Sequence, residues 1–365
     1  MSIMLFLGWS LNWAVLPILR LTSRPVDQLI GALSLVGWSL ILFVLSTFVH
    51  ELGHLGLGHL SGYRFSAFQV GPWRLIQRTG GYDIVRTGKF AGGQCLMDPP
   101  PFNDGRFPFV LYNLGGSLTN LFLAVMLWLM VSPETGQTTT LVLLRMFFAT
   151  NIIIGFGNLL PIDLGVMRND GARVAYRNDS DSRWVFWLIL KFNHLEQQGV
   201  RLKDMPAEWF ERKIPPRDLE AQSLASMRCL YLLDQMKLTE ARRCLDDSLA
   251  QQPVPALRGM LQMFRFLLEL LGQGDPAVLK RLETYEMRRF MSEMRSDPMV
   301  SVTHYAEVKL LSRQPLAVSE ARNALEDNLR MRPGTARGIE RQLMQRIDEK
   351  NEKENDNGFK DDLGL

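Results

Sequence analysis

The first 165 residues of the chain alternate between long apolar stretches and short polar connections. Four stretches approach the roughly 20 apolar residues that a helix needs to cross a bilayer. They cover about residues 3–19, 29–49, 108–131 and 141–162, and an Asn and a Pro interrupt the first of them. The pattern predicts about four transmembrane helices and leaves open whether the first stretch spans the membrane.

The polar connection over residues 62–107 has a different pattern. Its segments YRFSAFQV and PWRLIQR are rich in aromatic and β-branched residues, and a TGGY turn follows the second of them. Apolar segments bounded by Gly-containing turns are typical of short strands. We therefore expect a small β region that lies at the membrane surface.

Beyond residue 172 the pattern becomes helical. WVFWLILKF at residues 184–192 is apolar but too short to span, which favours an interfacial or packing helix. The segments LTEARRCLDDSLAQQP and LAVSEARNALEDNLRMRP share A-R-x-x-L, and each ends in Pro at the same offset. This repeat is typical of degenerate tetratricopeptide-type hairpins. An ordinary helical bundle fits the pattern equally well.

Charge divides the chain near the same place. Residues 1–165 hold nine Lys/Arg and seven Asp/Glu, whereas the remaining 200 residues hold 32 and 31. We predict a transmembrane domain over 1–172, a soluble α-helical domain over 173–348 and a disordered tail over 349–365. The net charge of +3, with no compact basic cluster, argues against nucleic acid as a partner.

Basic residues also predict the orientation in the membrane. The connection over 62–107 carries six Lys/Arg, whereas the connection over 132–140 carries none. Cytoplasmic connections are enriched in Lys and Arg. We therefore expect a multi-pass protein of the cell membrane, with the 62–107 connection and the C-terminal domain in the cytoplasm.

Cysteines and the N-terminus add two exclusions. The chain has three cysteines and no CxxC pair, which excludes a disulfide scaffold and a zinc site built from cysteines. Neither a basic n-region nor an A-x-A stretch accompanies the first apolar run. We therefore expect that run to be retained rather than cleaved as a signal peptide.

The sequence HELGH at residues 50–54 closes the second apolar stretch. On a helix, positions i and i+4 lie on one face, so His50 and His54 can bind one metal ion. Glu51 then lies where it can take a proton from a zinc-bound water, whose pKa zinc lowers to about 7. The same motif can be a solvated face of a soluble helix, but these polar side chains are costly to bury in a membrane span without a function. The motif predicts a catalytic zinc centre.

A catalytic zinc usually takes a third protein ligand. His59 stands one residue short of the third histidine in the metzincin spacing, so an interfacial histidine is the better interpretation of it. The thermolysin arrangement needs a glutamate downstream of the motif, and residues 64–82 contain no acidic residue. The remaining candidates for the third ligand are acids elsewhere in the apolar half of the chain.

The fourth apolar stretch carries a second motif. It ends in Asn158-Leu-Leu-Pro161 and is followed by Asp170-Gly171. HExxH in one span, with N-x-x-P and then Asp-Gly at the end of a later span, resembles the site-2 protease family. The members of this family are intramembrane zinc metalloproteases. The resemblance covers about residues 35–175.

The resemblance assigns roles to individual residues. It implies that His50 and His54 are zinc ligands, that Glu51 is the catalytic acid/base and that Asp170 is the third ligand. Asp170 lies twelve residues after the asparagine of the motif, whereas the family pattern places Asp-Gly about eight residues after it. Asp163 therefore remains an alternative third ligand, although no Gly follows it directly.

The third apolar stretch opens with GGSLTN at residues 115–120. This segment is similar to the family's motif of small residues followed by Asn. Small residues let helices approach closely, and a polar amide in a span needs a partner. We predict that Asn120 binds the substrate, with simple helix packing as the alternative interpretation of the motif.

These features predict a zinc-dependent intramembrane endopeptidase that hydrolyses membrane-spanning or membrane-proximal substrates in the lipid bilayer, with Zn²⁺ as cofactor. We expect the C-terminal helical domain to bind a protein partner or to select substrates, and the strands to hold an unwound substrate by β-augmentation. Two alternatives stay open. One is a catalytically idle membrane scaffold with a structural zinc site, and the other is a membrane protease that cuts soluble peptides or surface loops.

Overall fold

The computed structural model describes most of the chain and divides it into two units. The described residues are 25–78, 80–131, 139–162, 168–175, 179–212, 214, 219–330 and 338–363. The predicted first span and the alternative ligand Asp163 lie outside these residues. The first unit is Met1–His194 and the second is Leu195–Leu365.

Three long helices form the centre of the first unit: α1 (Pro25–Leu60), α2 (Val110–Met130) and α3 (Thr139–Leu159). Each contains a segment long and apolar enough to cross a membrane. Many large apolar side chains point outwards from these helices, as expected of residues that face lipid, while a smaller set packs between them. The mostly helical character and the three candidate spans agree with the sequence. The count of four spans stays a prediction.

The connection between α1 and α2 is one long β-hairpin. Strands β1 (Arg64–Arg78) and β2 (Gly81–Asp98) pair in an antiparallel ladder that runs from Arg64 opposite Asp98 to Arg78 opposite Gly81. The register shifts at three places, and Gly92 lies at one of them. The small β region is confirmed, as a two-stranded sheet within the described residues.

Two helices after α3 complete the first unit: α4 (Asp170–Ala175) and α5 (Ser180–Gln197). Helix α5 contains the apolar segment that was too short to span, and it buries Phe186, Leu188 and Phe192. The indole N–H of Trp187 donates to the carbonyl oxygen of Pro100 at 2.8 Å. Most of α5 belongs to the first unit, which ends at His194, whereas the predicted transmembrane domain ends at residue 172.

The secondary structure formed by the described residues of the second unit is helical. The A-R-x-x-L repeats lie in two of its helices, and the Ala and Leu of each repeat are buried because positions i and i+4 share a face. The last helix runs through the tail for which composition predicts disorder, and its many Glu and Lys residues are good helix formers. The helices are α6 (Glu208–Glu211), α7 (Leu219–Asp234), α8 (Leu238–Ala250), α9 (Pro255–Leu271), α10 (Pro276–Leu282), α11 (Tyr285–Glu293), α12 (Pro298–Glu307), α13 (Pro315–Arg330) and α14 (Gly338–Leu363).

Candidate metal centre

His50, His54 and Asp170 bring three ligand atoms together. The Nε2 atoms of the two histidines lie 3.1 Å apart. The Oδ2 atom of Asp170 lies 3.2 Å from Nε2 of His50 and 3.3 Å from Nε2 of His54. The histidines come from one face of α1, and Asp170 begins α4. His50, His54 and Asp170 thus form a cluster, the metal group, that could hold a metal ion.

The far nitrogens of both imidazoles are engaged elsewhere. Nδ1 of His50 donates to Oδ1 of Asn120 at 2.7 Å, and Nδ1 of His54 donates to the carbonyl oxygen of Tyr112 at 2.7 Å. A neutral imidazole with its hydrogen on Nδ1 has a lone pair on Nε2. Three electron-pair donors therefore face one another, and such an arrangement needs a cation between them. The donor set and its second shell fit a metal ion.

Asn120 is fully buried and uses its whole amide. Oδ1 accepts from His50, while Nδ2 donates to the carbonyl oxygen of Ser46 at 3.0 Å and to Oδ1 of Asn151 at 2.6 Å. These contacts orient a ligand imidazole and connect α1, α2 and α3. The structure thus places Asn120 behind His50, and its predicted contact with substrate stays a prediction.

Asn169 positions Asp170. Its Oδ1 accepts from the backbone N–H groups of Ile162 and Ala172, at 3.1 and 3.0 Å. Its Nδ2 donates to the carbonyl oxygens of Gly157 and Leu160, at 3.0 and 2.6 Å. One side chain therefore joins the end of α3 to the start of α4 and holds the carboxyl group of Asp170 at the histidines.

Glycines bring the backbones of α1 and α2 into contact. A Cβ atom on Gly53 would lie 2.3 Å from the carbonyl oxygen of Gly115, and one on Gly115 would lie 2.5 Å from that of Gly53. A Cβ atom on Gly116 would lie 2.4 Å from Nε2 of His50. Larger residues would push the helices apart or displace the ligand, so the predicted small-residue motif lies directly against the metal group.

Strand β2 lies against Glu51. The Tyr112 hydroxyl donates to the Cys95 carbonyl oxygen at 2.7 Å, and Cys95 and Glu51 line one cavity. A Cβ atom on Gly93 would lie 2.4 Å from Oε1 of Glu51. The hairpin therefore fixes Glu51 beside the metal group.

An open cavity of about 630 Å³ adjoins the metal group. Glu51, both histidines and Asp170 line it, together with β2 and α5. The wall is mixed, with apolar residues such as Phe43 and Leu190 as well as several amides. A peptide segment can therefore reach the metal group and Glu51 together.

Electrostatics near the group favour ligation by Asp170 over Cys95. Burial by itself would raise the pKa of the Asp170 carboxyl group, but hydrogen bonds and positive charge from the two facing imidazoles, when these are protonated, outweigh burial and hold this pKa below its usual range. Burial, with the nearby Glu51 carboxylate, raises the pKa of the Cys95 thiol. Asp170 is thus ionised when positive charge lies at the histidines, whereas the Cys95 thiol stays neutral.

Comparisons of the chain with protein-family models, curated proteins and solved structures found no match. The assignment of the site therefore depends on its geometry. His50, His54 and Asp170 come together, Glu51 lies beside them, and His59 is exposed. The sequence analysis missed Asn169 and Gly93, although an Asn directly before Asp-Gly is a signal for a helix cap that could have been used.

Proposed function

We propose that the chain is a zinc-dependent endopeptidase that hydrolyses peptide bonds of membrane-spanning or membrane-proximal substrates. One observation carries the proposal: the ligand atoms of His50, His54 and Asp170 converge at the wall of an open cavity, with the Glu51 carboxylate beside them. The same four residues are those that the resemblance to the site-2 protease family selects. The three apolar helices around them support a place in the cell membrane.

Zinc is the metal that these residues fit best. Two imidazole nitrogens and one carboxylate oxygen are a common ligand set of catalytic zinc, and a position remains for water. In a tetrahedral site with bonds of about 2.0–2.1 Å, ligand atoms lie about 3.3–3.4 Å apart. The distances of 3.1, 3.2 and 3.3 Å between the ligand atoms are close to this spacing. When bound, zinc supplies Lewis acidity towards a water molecule and the scissile carbonyl group.

Glu51 is the proton carrier of the proposed reaction. Its carboxylate takes the proton from the attacking water and delivers it to the amine nitrogen that leaves. The close contact with Gly93 holds the carboxylate at the cavity wall. A site with a purely structural metal has no need of such a group.

The outer edge of β2 is suited to hold an extended substrate. In an antiparallel ladder the backbone groups of alternate residues point away from the partner strand. The carbonyl oxygen of Cys95 accepts from the Tyr112 hydroxyl and therefore points outwards, and the backbone groups of Gly93, two residues earlier, point to the same side. A substrate strand that pairs there lies along the cavity next to Glu51.

Two other functions remain as alternatives. A catalytically idle scaffold would keep zinc as a structural ion and recruit partners through its helical second unit. The position of Glu51 in an open cavity favours the enzyme. A membrane protease that cuts soluble peptides or surface loops uses the same site, so only substrate comparison separates it from the first proposal.

The test measures metal content and cleavage together. We expect about one zinc per purified chain and its loss in His50→Ala and His54→Ala. Glu51→Gln removes the proton acceptor and keeps the ligands, so zinc should remain while turnover falls by roughly two to four orders of magnitude. Asp170→Ala should lose both metal and activity because it removes a ligand.

Substrate comparison uses a fluorogenic single-span peptide and soluble casein as probes. Cleavage of casein alone would favour the protease of soluble peptides. Glu51→Gln with normal cleavage of either probe would refute the proposed mechanism. Zinc that remains after Asp170→Ala but is lost after Asp163→Ala would move the third ligand to Asp163 and leave the proposed activity intact.

A further inference from the structure

Two asparagines of the first unit share one hydrogen-bonding pattern at the cavity of the metal group. Asn113 lies in the first turn of α2 and Asn193 lies near the end of α5, and both line the cavity. Nδ2 of Asn113 donates to the carbonyl oxygen of Phe109, and Nδ2 of Asn193 donates to that of Ile189, each at 2.7 Å. Each side chain thus bonds to the carbonyl group four residues earlier in the chain.

This pattern leaves part of each amide available to a ligand. A side-chain amide has two N–H hydrogens to donate and an oxygen with two lone pairs to accept. Within the described residues, the bond to the earlier carbonyl oxygen occupies one N–H group of each side chain and leaves its Oδ1 without a donor. Each asparagine can therefore both accept from and donate to a group that enters the cavity.

Neighbouring residues place these two amides close to the reacting groups. The carbonyl oxygen of Tyr112, directly before Asn113, accepts from Nδ1 of His54 at 2.7 Å. The residues of α5 that line the cavity share one helix face, and they are Phe186, Ile189, Leu190 and Asn193. Asn193 is the polar member of this otherwise apolar face. A peptide in the cavity therefore meets one amide on α5 and the other beside the metal group.

An extended substrate strand presents backbone groups on two edges. One edge can pair with β2, while the N–H and C=O groups of the alternate residues point away from β2. In surroundings poor in water, a backbone group without a partner is costly. A neutral side-chain amide can satisfy both kinds of backbone group, and it does so whatever side chains the substrate carries.

We propose that Asn113 and Asn193 bind the backbone of the extended substrate at the edge that does not pair with β2. This inference rests on the proposed function, in which β2 holds the substrate as a strand. Recognition through backbone groups does not depend on the sequence of the segment, so the two amides admit varied substrates. They are positioning residues, since the proton transfer stays with Glu51.

The probes are single-span peptides in detergent micelles, with the cleaved bond located by mass spectrometry of the products. In each member of the series, one peptide bond near the cleaved bond is replaced by an ester. The ester removes one backbone N–H donor and leaves every side chain unchanged. Esters at positions that pair with β2 should raise KM in wild type and in asparagine variants alike, whereas an ester opposite Asn113 or Asn193 should matter only while that amide is present.

Asn113→Leu and Asn193→Leu remove the amide at nearly constant volume. Each should raise KM for the all-amide peptide by roughly three- to tenfold, as for a lost neutral hydrogen bond, and change kcat by less than about twofold. Each should also lose the sensitivity of wild type to an ester at one position, which a merely structural role would not produce. Zinc content equal to that of wild type shows that the metal group is intact.

Asn103→Leu is the matched control, because Asn103 is exposed in the same unit and does not line the cavity. Its KM and its response to every ester should equal those of wild type. Asn113 is buried, whereas Asn193 is half-buried, so Asn193→Leu tests the proposal by itself if Asn113→Leu does not fold.

Binding of the same peptides to zinc-loaded Glu51→Gln, followed by fluorescence anisotropy, separates recognition from cleavage. Cleavage that depends on Glu51, with Asn193→Leu keeping the KM and the whole ester pattern of wild type, would overturn the role of the amides and leave the proposed function standing. Binding that an ester weakens only while Asn193 is present, without cleavage of any peptide by wild type, would support the amides and refute the endopeptidase.

Discussion

The hydrogen bonds of Asn120 require an asparagine and not an aspartate. Its Oδ1 accepts from His50, while its Nδ2 donates to two oxygens, those of Ser46 and Asn151. An aspartate carboxylate has no hydrogen to donate. It would also add a negative charge, besides that of Asp170, next to the His50 imidazole at the centre of three apolar helices. The amide thus fixes the hydrogen of His50 on Nδ1 and leaves Nε2 for the metal.

Gly93 gives the sharpest prediction for a single residue. A Cβ atom there would overlap Oε1 and Cγ of Glu51, at 2.4 and 2.6 Å, so Gly93→Ala should displace the Glu51 carboxylate. We expect turnover to fall by about tenfold or more, since proton transfer needs hydrogen-bond distance. Zinc content should not change, because Glu51 is not a ligand. Metal analysis and cleavage of the single-span peptide measure both effects.

Gly92→Ala is the control for this prediction. A Cβ atom on Gly92 meets nothing within 4 Å, although Gly92 neighbours Gly93 on the same strand. This variant should retain wild-type turnover. Equal activity of the two variants would show that β2 does not hold Glu51 in place.

The candidate metal ligands could be predicted from the sequence, but contacts between distant elements that support them could not. HExxH fixes a helical spacing, so His50, Glu51 and His54 follow from local geometry alone. The prediction of Asp170 as the third ligand relied on the family resemblance, because separation along the chain from His54 does not indicate proximity in space. Gly93 acts across the hairpin on α1, and such a contact depends on packing between elements that no local pattern encodes.

Among contacts between secondary-structure elements, the contact between α1 and α2 determines the geometry of the metal group. Gly116 packs on the ring of His50, and a Cβ atom would lie 2.4 Å from Nε2 and 2.5 Å from Cε1. Gly116→Ala should therefore displace a ligand and lower zinc affinity on the order of 10- to 100-fold. Competition with a zinc chelator measures this affinity directly.

Gly56→Ala is the matched control on α1. A Cβ atom on Gly56 meets nothing within 4 Å, and alanine favours the helix more than glycine does. Zinc affinity should be retained in this variant. An equal loss of zinc in Gly116→Ala and Gly56→Ala would mean that general destabilisation, and not the His50 contact, is responsible.

The sequence predicted the types of elements better than their extents. The apolar stretches gave α1, α2 and α3 because helix length is tied to bilayer thickness. The two predicted short strands, YRFSAFQV and PWRLIQR, proved to be parts of one strand, β1, which pairs with β2 in a single hairpin. Helix α5 extends beyond its apolar segment on both sides, because its polar ends are solvated while its centre is buried.

The two units of the molecule follow the division in charge. Apolar helices with few charges make up most of the first unit, and the second unit carries its charges on helices with a separate core. The boundary at His194 lies later than the charge boundary because α5 packs its apolar side within the first unit. Composition can show that the chain has an apolar part and a charged part. The packing of one amphipathic helix, α5, decides at which residue the first unit ends.

The arrangement of the spans predicts the sides on which the connections lie. Three crossings place the hairpin connection and everything after α3 on one side, and the connection between α2 and α3 on the other. This follows whether or not a further span precedes α1. Six basic residues in the hairpin connection against none between α2 and α3 then predict that the hairpin and the second unit are cytoplasmic.

Single-cysteine variants test this topology with a membrane-impermeant maleimide on intact cells. In a background without the three natural cysteines, Gly136→Cys should be labelled from outside. Arg106→Cys and Ala250→Cys, both at exposed positions, should be labelled only after lysis. Labelling of positions 136 and 250 from the same side would refute the three crossings. Labelling of 106 and 250 from outside, with 136 protected, would keep the crossings and invert the orientation, so that the metal centre would open towards the cell exterior.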